Sequence, residues 1–260
     1  MKIKRFSSIS ILLMLIISLF TMACNKEKGD VTPNVLRKVD KVTISDGTDN
    51  QFTYDAMGRR TRIDRKKDTS YVAYKYVGNN VIATTTYANP SKSAPEFTYT
   101  LNAKGLAATR TYISSSTTSF LDEYEYDKDG FLLKISTKYK SSTSSTFAAW
   151  SEQTYTYDSD GNLLSLNSHS FISSTSDSNN KFEYDKSHYN TTSTDFTGLE
   201  FIGKSSPHSV SKITYTPPNS GIVQVTTNTW KYDSKGYNIS NVSVVTGATT
   251  TTTTFNYTYK

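Results

Sequence analysis

A short unit that joins two strand-forming segments through an Asp/Gly turn recurs along this chain of 260 residues. Its clearest copy, residues 155–166, reads Tyr-Thr-Tyr-Asp-Ser-Asp-Gly-Asn-Leu-Leu-Ser-Leu. Alternate residues of an extended chain point to opposite faces, so Tyr155 and Tyr157 share one face and the threonines occupy the other. Asp158 can accept hydrogen bonds from the backbone of its own turn, and Gly161 supplies the positive φ of a hairpin bulge. The unit predicts a β-hairpin with an aromatic-aliphatic face and a polar face.

Four copies keep both turn residues, and others are degenerate. The turn-forming pairs are Asp55 and Gly58, Asp127 and Gly130, Asp158 and Gly161, and Asp233 and Gly236. Degenerate copies cover residues 97–105 and 182–188, and the chain ends on a related strand at 255–259. Repeats at intervals of roughly 30 residues indicate a repeated supersecondary unit. After the turns, alternation places Leu133 with Ile135, and Leu164 with Leu166, on the aromatic-aliphatic face.

Composition and periodicity predict the fold class. Nineteen tyrosines, twelve phenylalanines and many threonines favour strands, and no apolar helical periodicity follows the amino-terminal segment. A sheet with one apolar face must cover that face, and here no helix is available to do so. We therefore predict an all-β fold, an antiparallel meander of repeated hairpins curling into a twisted open barrel or half-pipe. Tight turns lie at one rim, Ser/Thr-rich loops at the other, and residues 188–207 form an irregular insertion or edge cover.

The amino terminus has the layout of an exported protein. Lys2, Lys4 and Arg5 precede an apolar run at 9–20 that is too short to span a membrane comfortably. The only cysteine, Cys24, follows Ala23, and this arrangement resembles a bacterial lipobox. The resemblance implies that Cys24 carries a diacylglycerol and becomes the first residue of the mature chain. The alternative is an ordinary secretion signal that leaves Cys24 a free thiol.

These features divide the chain into three parts. Residues 1–23 are predicted to be a lipoprotein signal peptide, 24–34 a flexible tether and 35–260 a single β domain. The predicted partner is therefore a membrane, reached through the lipid anchor, and the predicted location is the bacterial outer membrane. Lys26-Glu27 resembles the export signal of surface lipoproteins, which favours outward display. Loss of three signal-peptide cations lowers the net charge from +6 to +3, so nothing indicates a nucleic-acid partner.

The repeated units carry a family resemblance. Aromatic-x-Tyr-Asp-x-x-Gly is similar to the YD repeats of Rhs-type and teneurin-type proteins. With the lipobox, the chain looks like the uncharacterised YD-repeat lipoproteins of Bacteroidota. The resemblance implies hairpin geometry and an extracytoplasmic setting. The large Rhs shells enclose a cargo domain, and the copies here are too few for that function to carry over.

No catalytic, cofactor or metal site emerges from the motifs. The turns at 127–130 and 158–161 resemble calcium loops, but their twelfth positions are Lys138 and His169 rather than glutamate. The histidines, none of them spaced as metal ligands, are His169, His188 and His208. His188 and His208 flank the insertion and could meet in space. No Gly-x-Ser-x-Gly elbow or phosphate-binding loop is present.

Two further surfaces have alternative readings. The basic run at 59–67 fits either contact with anionic headgroups or a solvated strand face that discourages edge pairing. Trp150 and Trp230 could stack on sugars, although rings at the inward phase of the repeat belong to a core. Tyr139 and Tyr189 are better candidates for exposed contacts.

Three functions remain open from sequence. The first is a non-enzymatic, lipid-anchored β-repeat protein that binds or scaffolds, with a glycan or protein ligand. The second is a carrier of lipid or another apolar ligand on the concave face of the sheet. The third is a hydrolase acting on glycans or peptides, with a site assembled from distant loops.

Overall fold

The computed structural model describes residues 37–89, 96–115, 118–172, 177–218 and 222–260. The predicted signal peptide, tether and lipidated Cys24 lie outside these residues. Within the described ranges, no helix has both the length and the apolar character needed to cross a membrane.

Sixteen β-strands make up most of the described chain. They are β1 Val39–Ile44, β2 Asp49–Tyr54, β3 Arg60–Arg65, β4 Ser70–Val77, β5 Asn80–Thr86, β6 Glu96–Leu101, β7 Ala107–Ser115, β8 Thr118–Tyr126, β9 Leu132–Ser141, β10 Ala148–Tyr157, β11 Leu163–Ser170, β12 Ser178–Tyr189, β13 His208–Thr216, β14 Gln224–Tyr232, β15 Asn238–Thr246 and β16 Thr251–Tyr259. Helix α1, Thr194–Thr197, and a 3-10 helix, Glu200–Ile202, lie between β12 and β13.

The sheet is a closed antiparallel barrel. Each strand pairs with the next along the chain, and β16 pairs with β1, with Tyr259 opposite Val39 and Phe255 opposite Ile44. Two backbone bonds between Lys38 and Lys260, at 3.1 and 3.0 Å, extend this pairing. The all-β meander of hairpins is confirmed. The barrel is closed rather than open because the carboxy-terminal aromatic strand finds its partner in the first strand, leaving no edge.

The two faces of the barrel differ sharply in chemistry. Buried Phe52, Val72 and Val81 lie on the inner face together with most tyrosines. Between β8 and β9, Tyr124 and Ile135 pair on the inner face, whereas the neighbouring pairs on the outer face carry charged and hydroxyl side chains. The aromatic-aliphatic face of the repeat therefore lines the interior, and the polar face forms the outer surface of the barrel.

The Asp/Gly turns share one geometry and one end of the barrel, which we call the turn rim. In the clearest copy, Asp158 Oδ1 accepts hydrogen bonds from the backbone N–H groups of Asp160 and Asn162, both at 2.9 Å. Gly161 has φ +85° and donates its N–H to the Asp158 carbonyl at 3.1 Å. The same bonds form in the turns that begin at Asp55, Asn102, Asp127 and Asp233. The opposite end of the barrel is called the loop rim.

A bulge follows each of these turns and shifts the phase of the next strand. In β8–β9, Tyr126 pairs with Leu132 whereas Glu125 pairs with Lys134, so the residue between is skipped. The large skipped residues are exposed: Leu133 by 41%, Leu164 by 45% and Ile239 by 40%. The prediction that Leu133 and Leu164 join the aromatic-aliphatic face is therefore wrong, because one inserted residue reverses the alternation locally.

Substitution of Gly161 should test the packing of the turn rim. A Cβ there would lie 2.6 Å from Cζ of Phe131, a ring held against Tyr157 at 5.0 Å between centroids. Gly47 has the same φ, +86°, but open space around it. We expect Gly161→Ala to lower the free energy of unfolding by about 3 kcal/mol, and Gly47→Ala by about 1 kcal/mol. Urea unfolding measures both, and equal losses would contradict the packing described.

Candidate functional site

The segment between β12 and β13, residues 190–207, packs into the turn rim and is called the plug. Its two rings, Phe196 and Phe201, are only 3% and 7% exposed. Phe196 meets Tyr237 edge-on at 6.2 Å between centroids, and Phe201 meets Tyr99 at 5.1 Å and Tyr76 at 6.4 Å. The plug thus contacts inward rings from well-separated strands and covers this end of the barrel.

Polar bonds tie the plug to the barrel at several points. The backbone N–H and Nε of buried Arg60 donate to the carbonyls of Gly198 and Thr197, at 3.0 and 2.7 Å. The Lys204 N–H donates to the Gly130 carbonyl at 3.0 Å, in the β8–β9 turn. These bonds attach the plug to two well-separated places on the barrel wall, the start of β3 and the β8–β9 turn.

Two glycines allow the plug backbone to approach the wall. A Cβ at Gly198 would lie 2.7 Å from the backbone nitrogen of Arg60, and one at Gly203 would lie 2.7 Å from the ring of Tyr126. Both glycines also have positive φ, +68° and +106°. Glycine is required at these positions because a side chain would hold the plug away from the turns.

A buried amide network fixes the start of the plug. The N–H and hydroxyl of Thr191 donate to Asn238 Oδ1 at 2.8 and 2.6 Å. In return, the Asn238 N–H donates to the Thr191 hydroxyl at 2.8 Å, and its amide donates to Ser209 Oγ at 3.0 Å. All three side chains are almost completely buried. Since each partner is satisfied by the others, removal of one would strand buried polar groups.

Toward the loop rim, five inward rings form a continuous series, the aromatic arc. It runs from Phe97 to Tyr112, Phe120, Trp150 and Tyr139, with successive centroids 5.3, 5.0, 5.6 and 5.2 Å apart. All five are half-buried, in contrast to the fully buried rings at the plug. The arc therefore presents aromatic surface to the lumen from five neighbouring strands, β6–β10.

An ion pair lies on the inner wall beside the arc. Arg110 Nε donates to Asp122 Oδ2 at 2.7 Å, and the hydroxyl of Thr137 donates to Asp122 Oδ1 at 2.8 Å. The guanidinium lies 5.4 Å from the centre of the Phe97 ring and 5.1 Å from that of Tyr112. Asp122 is only 1% exposed. This charge is balanced internally and surrounded by rings, which suits a structural role.

Enclosure in the barrel changes the titration of several inward tyrosines. Burial raises the pKa to about 12 for Tyr54, Tyr76, Tyr155, Tyr232 and Tyr257. Two of these hydroxyls donate to backbone carbonyl oxygens: Tyr54 to that of Val39 at 2.5 Å and Tyr76 to that of Arg60 at 3.0 Å. The lumen therefore offers rings and neutral hydroxyl groups.

The three histidines identified from sequence have separate partners. Nδ1 of His169 lies 2.9 Å from Asp177, and Nδ1 of His208 lies 3.0 Å from Oδ1 of Asn162. His188 stacks on Tyr232 with centroids 3.8 Å apart. Among the described residues, no three His, Cys, Asp or Glu side chains are grouped as metal ligands.

The basic run and the two tyrosines that the sequence identifies as candidate contact surfaces make contacts within the protein itself. In the basic run 59–67, Arg59 pairs with Asp55 at 2.7 Å, while buried Arg60 holds the plug. Tyr139 belongs to the aromatic arc, and Tyr189 is half-buried 6.1 Å from Phe196. The prediction that Tyr139 and Tyr189 make exposed contacts is wrong, because β9 and β12 continue through the Ser/Thr-rich segments.

Comparison with known proteins identifies the architecture. No protein-family model matches the chain, and no curated protein matches it. A crystal structure of a porin-like protein from Bacteroides uniformis is 18% identical, with a TM-score of 0.60, over 85% of this chain and 98% of that one. A porin-like protein from Bacteroides vulgatus is 13% identical, with a TM-score of 0.61, over 86% and 99%. At these identities the likeness shows that the barrel fold is shared.

Titration of the tyrosines should report the burial of the inner face. Because the folded pKa values of these five tyrosines exceed the ordinary value, each of the five contributes stability that is complete below about pH 10 and lost as the pH rises toward about 12. We expect the tyrosinate absorbance of the native protein to rise later than that of the urea-unfolded protein. Superimposable curves would show that the rings are exposed to water.

Proposed function

We propose that this protein is a lipid-anchored, non-enzymatic binding protein of the bacterial outer membrane. In this proposal the barrel stands in water beside the bilayer and holds an apolar or amphipathic ligand in its aromatic lumen. The observation that carries the proposal is the polarity of the wall, which is aromatic inside and polar outside.

Charged side chains on the outer wall support a barrel that stands outside lipid. Lys134 lies 2.9 Å from Glu152 on the neighbouring strand, and Lys138 lies 2.7 Å from Glu123. Barrels that cross a bilayer carry the reverse pattern, with an apolar band outside and polar residues inside. Unsheltered charges facing hydrocarbon would be strongly unfavourable.

The plug supports a barrel that is closed at one end rather than a channel open at both ends. It is bonded to the start of β3 through Arg60, to the β8–β9 turn through Gly130 and to β15 through Asn238. A pore would need an open path through the same end. The lumen is therefore proposed to be entered from the loop rim, where the aromatic arc lies.

Apolar side chains at the loop rim support a ligand with apolar surface. A set of exposed apolar residues lies in or next to the connections at this rim: Ile113, Phe147, Phe171, Ile172, Ile222 and Val223. Their exposure continues the apolar character of the lumen outward. Sixteen strands enclose an interior wider than wall side chains alone fill, which leaves space for a bound molecule. The charge on the inner wall, Arg110 with Asp122, is already paired, which supports binding over catalysis.

The proposed location rests on the amino terminus and on the fold. The lipobox-like sequence ending at Cys24 would supply the anchor. The name "porin-like" belongs to the Bacteroides neighbours and supports an outer-membrane setting for this chain.

Removal of the anchor should distinguish membrane attachment through acyl chains from insertion of the barrel wall into lipid. Expressed in a lipoprotein-processing host, the wild type should enter the detergent phase on cloud-point partition, because it carries acyl chains. The chain expressed from residue 25, without the signal peptide and Cys24, should fold and enter the aqueous phase. If this folded chain stayed with detergent, the wall itself would enter lipid and the proposal would be contradicted.

Binding of an apolar fluorescent probe tests the lumen. N-phenylnaphthylamine should bind the wild type, and Trp150→Ala should weaken binding about tenfold through loss of ring contact. Leu164→Ala is the matched control, since it removes an apolar side chain from the outer wall, and it should leave affinity unchanged. Circular dichroism verifies both barrels. Equal affinity in all three proteins would contradict ligand binding at the arc.

A further inference from the structure

A cavity of about 500 Å³ lies at the turn rim, between the plug and the turns β2–β3, β6–β7 and β8–β9. We call it the rim crevice. It is at the opposite end of the barrel from the loop rim and is therefore separate from the proposed ligand site in the lumen. Its size falls within the range of small-molecule sites.

The floor of the rim crevice is apolar. Leu101 and Leu106 come from the β6–β7 hairpin, Phe201 from the plug and Tyr76 from β4. Phe201 is held edge-on between Tyr76 and Tyr99, so this surface is fixed. A ligand resting here would bury hydrocarbon or ring surface against it.

Two lysines at the edge of the crevice form no direct ion pair among the described residues, although the Asp129 carboxylate attracts both from a longer distance. Lys104 Nζ donates to the Lys128 carbonyl at 3.4 Å, and Lys204 Nζ lies 5.5 Å from the centre of the Phe131 ring. No carboxylate pairs with either ammonium within the described chain, although Asp195 also lines the crevice.

The other charges of the crevice are already paired. Arg59 binds Asp55 at 2.7 Å, and Lys128 binds Asp129 at 2.9 Å. Glu200 binds Lys38, which lies outside the crevice lining, at 2.7 Å. The lining as a whole carries four cationic side chains and three carboxylates, which leaves a net charge of +1 above an apolar floor.

We propose that the rim crevice binds a small anionic amphiphile. Its phosphate or carboxylate group lies between Lys104 and Lys204, and its apolar portion lies on Leu101, Leu106 and Phe201. Lysine ammonium groups suit this role because each offers three donors on a flexible stem to a charged oxygen group. A headgroup of a membrane lipid and a free anionic metabolite share this chemistry.

Titration calorimetry with octyl phosphate below its micellar concentration tests the proposal on the purified full chain. We expect octyl phosphate to bind more tightly than octanol, which lacks the charge, and than inorganic phosphate, which lacks the chain. The double variant Lys104→Gln/Lys204→Gln should weaken octyl phosphate about tenfold.

Lys235→Gln is the matched control. Lys235 occupies the same turn position as Lys104. The Lys235 N–H donates to Asp233 Oδ1 at 2.8 Å, and the Lys104 N–H donates to Asn102 Oδ1 at 2.9 Å. Lys235, however, lies outside the crevice. It should leave affinity unchanged. Equal loss in Lys235→Gln, no loss in the double variant, or equal binding of octanol would overturn the proposal.

Soluble dihexanoyl phosphatidylglycerol distinguishes the two sources of ligand. Its displacement of octyl phosphate would assign a lipid headgroup, and failure to displace would assign a free amphiphile. N-phenylnaphthylamine binding at the loop rim is measured in the same variants and should be unchanged. Failure at the crevice is thereby separated from failure of the lumen proposal.

Discussion

Pairing between the first and last strands is the constraint on which the rest of this structure depends. With β16 bonded to β1, no edge remains, and the aromatic faces of all the hairpins point at one enclosed space. An open sheet with the same hairpins would expose those faces to water. Closure therefore gives the repeated hairpins a common interior, separated from the outer surface of the barrel. The neutral, high-pKa tyrosines of the wall are a direct result of that enclosure.

The repeat also fixes where the barrel is closed off. The turns of the repeated unit all lie at one rim, because every second connection of a meander returns to the same end. The plug packs among these turns, and Gly198 and Gly203 bring its backbone close enough to bond with theirs. Thr191 and Asn238 then hold its entry from β12 in a buried network. The two ends of the barrel are thus chemically distinct, and each has its own proposed ligand.

The shared fold and the distribution of polarity support different parts of the functional argument. The likeness to porin-like Bacteroides proteins shows a shared barrel fold. The wall of this barrel carries Lys–Glu pairs outside and rings inside, a pattern suited to water outside and apolar contents within. The same barrel can serve different functions because the residue types on its inner and outer faces can vary independently without changing the backbone fold.

From sequence alone, the alternation around Tyr155 and Tyr157 determined the strands and their aromatic face, and the Asp/Gly pairs indicated the turns, since both signals are local. The amino-terminal pattern around Cys24 remains a prediction. Leu133 and Leu164 were assigned to the wrong face because a single bulge residue reverses a period of two. Tyr139 and Tyr189 proved to be interior because strand ends depend on partner strands. The plug contacts, the aromatic arc and the rim crevice bring together residues distant in the chain. Only the tertiary structure could decide these, because nothing in a local segment encodes which remote segment it will meet.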